Sequence, residues 1–273
     1  MELVTDLFGR ADAARHLVVP QDDDDKYARG VVGFVTGSAR YPGAAVLGVE
    51  AALRLGVGMV RYLGPGRATR LVLQHRPEAV TAEGRVQAWV LGSGWDPVRK
   101  RDELMTMLLE PVLAATTPTV LDAGALGMWS QIAGPAVLTP HAGELARLLD
   151  VERDEVLADR EDAVRRAAEL TGSTVLLKGA ETLVADPGGR LERVRNATPW
   201  LATAGAGDAL AGILGALLAT NQHSDDRVGI AAAAAWIHGE AARRASGGGP
   251  FTILDLCAAL PRVVADLLDT MNP

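Results

Sequence analysis

The chain has 273 residues, 48 % of them apolar, and a formal net charge of −7 at pH 7. That apolar fraction supports a sizeable core without cross-links, in one large α/β domain or two small ones, while the acidic balance argues against general nucleic-acid binding, which needs a basic surface. The single cysteine, Cys257, excludes an intrachain disulfide and any multi-cysteine metal site and suits a reducing compartment.

The first twenty residues, "MELVTDLFGRADAARHLVVP", carry charges throughout and lack the apolar core of a signal peptide. The longest apolar runs, "ALAGILGALLA" and "GIAAAAAWI", fall short of the ~18 residues that a membrane span needs. A cytoplasmic protein without a membrane partner is expected. "DDDDK" at 22–26 has the letters of a protease-cleavage tag, but it lies inside the chain and leads into an apolar strand, so it reads as a solvated acidic turn.

Short β-rich runs then alternate with longer helical ones. Strands are expected at 30–37, 58–64, 88–94, 118–124, 136–140, 174–179 and 182–186, most of them continuously apolar, as in strands covered on both faces. Helices are expected at 43–56, 97–114, 141–150, 154–171, 205–220, 227–245 and 252–269, with Pro261 kinking or dividing the last. The alternation predicts a mostly parallel sheet with helices on both faces. No fixed-period repeat or long polar linker interrupts the pattern, and "SGGGP" at 246–250 precedes a run apolar enough to dock, so residues 1–273 read as one domain.

The chemistry gathers at strand ends, where an open α/β sheet binds its ligands. The helix at 205–220 is apolar all round and therefore buried, yet "GAGD" at its head places Asp208 after Gly205, Ala206 and Gly207. Glycines permit a tight turn and close approach, and amides at a helix start hold phosphate or developing negative charge. Asp208 is then in reach of a group attacking that phosphate and can accept its proton; as a bland alternative it caps the helix. "TGSARYPGAA" at 36–45 lacks the ending of a Walker A loop, and "GSGWDP" at 92–97 fails the dinucleotide fingerprint at Pro97. In "LTPHAGE" at 138–144, Thr139 is read as the N-cap with Pro140 at the first helical position, which puts His141 and Glu144 one turn apart. Lys178 in "LLKGAET" and Asp122 in "LDAGAL" each end an apolar strand, where lysine either reaches solvent or meets a nucleotide phosphate.

These segments occur in an order that resembles the ADP/ATP-dependent NAD(P)H-hydrate dehydratase family of the ribokinase-like superfamily. "KYARGVVGFVTGSARYPGAA", "LGSG", "LDAGAL", "LTPHAGELARLL", "LLKGAETLVADP" and "ATAGAGDALAGILGALLA" carry the likeness, from Lys26 to the final helix. The resemblance implies a ribokinase-like three-layer sandwich and a metabolite-repair reaction. The hydroxyl of (6S)-NAD(P)H hydrate is phosphorylated at the expense of ADP or ATP, and phosphate is then eliminated to restore NAD(P)H. It implies Asp208 as base and Gly205, Ala206 and Gly207 as the phosphoryl cradle. Ala44, Gly94, His141 and Asp208 are implied to contact the hydrate. Lys178, Gly179, Ala180, Glu181, Thr182 and Gly207 are implied to contact the nucleotide, and Glu144 to hold magnesium through water. It further implies a homo-oligomer, a tetramer in the family, and a separate epimerase for the other epimer, since no epimerase domain precedes the match.

One departure stands out. Where the family usually reads Asp-Ala-Asp, this chain has Asp122-Ala123-Gly124. Two rivals follow from the residues. A small-molecule kinase of the thiamine-precursor or sugar type shares "GAGD", but such vitamin kinases tend to read Thr-Pro-Asn where "TPHAGE" has His141. A non-catalytic nucleotide-binding protein is favoured only by the missing second acid.

Overall fold

A computed structural model describes residues 7–95 and 103–270. Among the described residues, eight strands form one sheet in the order β2-β1-β3-β4-β5-β6-β7-β8. They are β1 (Val31–Val35), β2 (Met59–Tyr62), β3 (Ala88–Leu91), β4 (Thr119–Leu121), β5 (Ala136–Leu138), β6 (Thr174–Leu177), β7 (Thr182–Ala185) and β8 (Leu191–Val194). Pairing is parallel from β2 through β6 and antiparallel for β6–β7 and β7–β8. The helices are α1 (Arg10–Ala14), α2 (Gly43–Leu55), α3 (Gly66–His75), α4 (Glu103–Leu113), α5 (Ala142–Leu149), α6 (Arg153–Ala158), α7 (Arg160–Thr171), α8 (Ala206–Thr220), α9 (Arg227–Ser246) and α10 (Ile253–Leu268).

Side chains alternate across each strand, and here both faces are apolar. Val32, Phe34, Val90, Val120 and Leu176 enter one core with residues of α2, α8, α9 and α10. Val35, Leu91, Leu121, Leu138 and Leu177 enter a second with residues of α4, α5, α6 and α7. This is the expected three-layer arrangement. The parallel strands place their carboxyl ends along one edge, so the turns after β1, β3, β4, β5 and β6 share it.

Several elements depart from the sequence expectation. The run at 154–171 is two helices, because Asp159 leaves helical geometry and its side chain caps α7 by accepting from the Asp162 N–H. Pro261 does not divide the last helix: α10 runs unbroken from Ile253 to Leu268, with Pro261 on its exposed side and Leu256, Leu260 and Val263 buried. Residues 97–102 of the helix expected at 97–114 lie outside the described residues. The acidic 22–26 segment is the exposed turn that was expected, with Asp25 Oδ1 accepting from the Tyr27 and Ala28 N–H groups.

Candidate active site

The α8 N-terminus is built by close packing. Gly205 takes φ +91°, open to glycine, and a Cβ there would also lie 2.5 Å from Leu47 Cδ1 of α2. Further along the crossing, a Cβ on Gly212 would collide with the Gly48 carbonyl, and one on Gly48 would lie 3.3 Å from the Asp208 carbonyl. Small residues thus let two helices touch backbone to backbone. Ala44 precedes Gly48 by one turn of α2 and packs by Gly94, where a Cβ would lie 2.7 Å from Ala44 Cβ and 2.8 Å from the Tyr41 carbonyl. Ala44, Gly94 and Asp208 therefore belong to one packed corner.

Asp122, at the end of β4, is buried and fully engaged. Ser93 Oγ donates to its Oδ2 at 2.8 Å, while Thr139 Oγ1 and Lys178 Nζ donate to its Oδ1, each at 2.9 Å. Lys178 Nζ also lies 3.8 Å from Glu144 Oε2, and a Cβ on Gly207 would sit 3.4 Å from it. The ammonium therefore stands over the α8 N-terminus. Burial opposes its charge, yet the Asp122 and Glu144 carboxylates hold its pKa above the ordinary lysine value. Asp208 responds in the opposite sense: burial, and then the charge of Asp122, push its carboxyl up to about 7 against the pull of Lys178. A carboxyl poised near neutrality is suited to accept a proton and release it again.

His141 corrects the sequence reading of the β5–α5 turn. The N-cap is His141, not Thr139: its Nδ1 accepts from the Gly143 and Glu144 N–H groups at 3.0 and 3.2 Å, and Glu144 Oε2 accepts from the His141 N–H at 2.8 Å. The chain stays extended because the Lys178 N–H donates to the Pro140 carbonyl, and this delays the helix. Thr139 is turned inward onto Asp122 instead. With Nδ1 accepting, Nε2 is the ring's donor; it lies 3.6 Å from Glu144 Oε2 on a half-exposed side chain.

Beyond Lys178 a cavity of about 490 Å³ opens, lined by Gly179, Ala180, Thr182, Ala206, Gly207 and His238 among others. Glu181 is not among its lining residues; its carboxylate lies 3.7 Å from Arg193 Nη1. Arg160 shapes the turn from behind, donating from Nη1 to the Glu181 carbonyl at 2.9 Å. Ser93, the Thr139 hydroxyl, Arg160 and His238 were not singled out from sequence. Only the strand-end addresses of Ser93 and Thr139 carried a signal.

Magnesium ordinarily keeps several waters and is held by one or two carboxylates together with substrate phosphates. Among the described residues no cluster of three or more His, Cys, Asp and Glu is placed to hold a metal by itself. Glu144, beside Lys178 at the anion-facing end of the cavity, fits the role of a carboxylate reached through water.

A family model described as NAD(P)H-hydrate dehydratase matches residues 32–254. The chain belongs to the NAD(P)H-hydrate dehydratase family. It is 44 % identical over 236 residues to the bifunctional NAD(P)H-hydrate repair enzyme Nnr of Mycobacterium tuberculosis, covering 81 % of this chain and 48 % of that protein. The chain thus spans about half the length of such bifunctional relatives. It is 37 % identical to the ADP-dependent (S)-NAD(P)H-hydrate dehydratase of Neisseria meningitidis, covering 81 % of this chain and 79 % of that one. Among solved structures, the ADP/ATP-dependent NAD(P)H-hydrate dehydratase of Bacillus subtilis, co-crystallized with ATP and Mg2+, superposes with a TM-score of 0.85 at 25 % identity, covering 97 % of this chain and 99 % of the other. Within this dehydratase fold, the missing second acid has a steric explanation: a Cβ on Gly124 would lie 2.6 Å from Trp95 Cβ and 3.0 Å from the Trp95 carbonyl. Trp95 has taken the space.

Proposed function

We propose that this chain dehydrates (6S)-NAD(P)H hydrate to NAD(P)H, using ADP or ATP as phosphoryl donor. The observation that carries this reading is Asp208, lifted to about 7 at the head of α8, beside a cationic Lys178 and the amides of Gly205 to Gly207. The hydrate's ring is held against Ala44 and Gly94, with His141 Nε2 at the rim as a donor. Asp208 takes the proton of the ring hydroxyl as its oxygen attacks the terminal phosphorus. The α8 amides and Lys178 face the charge that develops on the transferred group. Magnesium, when bound, neutralises phosphate charge, with Glu144 as its carboxylate partner through water. The C–O bond to that phosphate then breaks as the neighbouring ring carbon gives up a proton to solvent, so phosphate leaves and the ring double bond returns. Net, one phosphoanhydride bond is spent and one hydrate becomes NAD(P)H.

The nucleotide occupies the cavity bounded by Lys178, Gly179, Ala180, Thr182 and Gly207. The second epimer of the hydrate requires epimerisation before this reaction can act on it. On this proposal the protein is a homo-oligomer, which light scattering checks against 28.6 kDa for one chain. No helix among the described residues is long and apolar enough to cross a membrane.

The test is direct. Purified protein is mixed with hydrated NADH and magnesium, with ADP and ATP in parallel, while reduced-nicotinamide absorbance and free phosphate are followed. Recovery of absorbance with equimolar phosphate is the expected outcome. A folded protein that restores no absorbance with either nucleotide, yet phosphorylates an alcohol stably, overturns it in favour of a small-molecule kinase.

A further inference from the structure

The hydrate is a dinucleotide, and the reaction described above uses only its ring. Its diphosphate and second nucleoside also need a place on the protein. The nucleotide cavity is not that place, for its lining includes neither Ala44 nor Gly94. The sheet order gives the direction instead. Along the carboxyl edge, the turn after β6 borders the nucleotide cavity, the turns after β1 and β3 lead to Ala44 and Gly94, and β2 lies beyond β1. A substrate laid along this edge with its hydroxyl toward Asp208 has the turns after β1 and β2 on its far side.

Those turns are basic. Between Lys26 and Glu78 the only acidic residue is Glu50, which is buried and accepts from Arg54 and Arg76. In a chain of net charge −7 this is a local surplus of positive charge, and Arg40, Arg67 and Arg70 carry it at exposed positions. Two of the three stand at the hydrate corner. The turn at 38–41 is closed by the Tyr41 N–H, which donates to Ser38 Oγ at 3.0 Å, and Arg67 Nη1 donates to the Ala39 carbonyl at 2.9 Å. The same turn presses on Gly94, where a Cβ would lie 2.8 Å from the Tyr41 carbonyl. The Arg40 guanidinium lies 5.2 Å from the centre of the exposed Tyr41 ring, an aromatic face that attracts it. Arg67 gives Ala39 one of the five N–H donors of a guanidinium, and the planar fork suits phosphate oxygens.

We propose that Arg40 and Arg67 bind phosphate oxygens of the hydrated dinucleotide and so hold the part of the substrate that lies away from the reacting ring. The inference rests on the dehydratase reading and deepens it. Both arginines are binding residues for the hydrate, with no part in the proton transfer. The phosphate is the diphosphate that both hydrates share or the additional phosphate of NADPH hydrate, and the test separates the two.

Wild type, R40Q and R67Q are compared on NADH hydrate and NADPH hydrate, with ADP and ATP affinity read separately by calorimetry. Each variant should raise hydrate KM about tenfold, with kcat at saturating hydrate and nucleotide affinity unchanged. An equal rise for both hydrates assigns the arginine to the diphosphate, and a rise for NADPH hydrate alone assigns it to the additional phosphate. Added salt should raise hydrate KM for wild type more steeply than for either variant, which a purely structural role would not produce. If R67Q loosens the turn that Arg67 straps, R40Q leaves the Arg67–Ala39 bond in place and carries the comparison. Folded variants with wild-type KM for both hydrates overturn the proposal, and so does a loss of nucleotide affinity in place of hydrate affinity. NADPH, the product, keeps the same phosphates, and its fluorescence reads binding without turnover. Protein that binds NADPH through these arginines yet restores neither hydrate would overturn the dehydratase reading alone. Protein that restores both hydrates as well without the arginines would overturn this inference alone.

Discussion

Replacing Asp208 with asparagine should separate what the carboxylate costs the fold from what it contributes to the reaction. Burial and Asp122 raise its pKa from 3.8 to about 7, against Lys178. Because the folded value lies above the ordinary one, stability associated with the protonated carboxyl is complete below about pH 4. It drains away as pH rises through 7, while the unfolded chain ionises freely. Each tenfold difference in proton affinity is worth ~1.4 kcal/mol, so charged Asp208 costs the fold up to about 4 kcal/mol above pH 7. Asparagine keeps the shape without the charge, but Lys178 loses a counter-charge. A net gain of about 1–3 kcal/mol is therefore expected at pH 8, shrinking to nothing near pH 4. Denaturant unfolding of both proteins across that range gives the comparison. In the coupled assay, wild-type turnover should climb with pH through about 7, while D208N loses roughly 10²–10⁴ in rate. A D208N protein no more stable than wild type at pH 8 would refute the burial argument, and one with undiminished turnover would refute the base assignment.

Further outcomes follow from the same geometry. His141→Ala should cost about 1 kcal/mol through the lost N-cap of α5 and raise hydrate KM; H141N should restore the unfolding midpoint but not the KM. Lys178→Met leaves Asp122 buried without its cation and should cost about 3 kcal/mol or more while weakening nucleotide binding. Adding Asp122→Asn should return stability without returning affinity, and a double variant that binds nucleotide normally would remove Lys178 from the phosphate site. Gly124→Asp, which restores the family's usual acid, should destabilise by about 1–3 kcal/mol through the clash with Trp95 and bring no gain in turnover. Unchanged thermal unfolding of that variant would mean that Trp95 yields.

The central strands were legible because burial on both faces makes them continuous apolar runs, as in "VVGFV" and "TVLL". β8 was missed for the complementary reason: Leu191–Val194 reads L-E-R-V on the sheet edge, with only Val194 buried. α3 was missed because only Ala68 and Val72 of Gly66–His75 are buried, and its apolar Leu73 is exposed. At the site, "GAGD" announced its turn because two glycines and a lone acid stand at the head of a helix apolar all round. The N-cap of α5 was misplaced because Thr139 is a good cap by type, and only tertiary contact with Asp122 takes its hydroxyl away. His238 was illegible. A histidine amid alanines has the same letters whether its ring faces a cavity, another helix or solvent.

The α2–α8 crossing has a mechanical consequence. Backbone resting on backbone at Gly48 and Gly212 leaves no side chain, and so no rotamer, between the two helices at that point. Ala44 and Asp208 ride on that joint, so a hydroxyl held against one keeps a fixed line of approach to the other through thermal motion. The β6–β7 turn is held differently, by side chains: Arg160 on the Glu181 carbonyl and Lys178 on the Asp122 carboxylate. On the proposed reaction, the proton is handed over at a joint of backbone on backbone, and the nucleotide lies along contacts made by side chains.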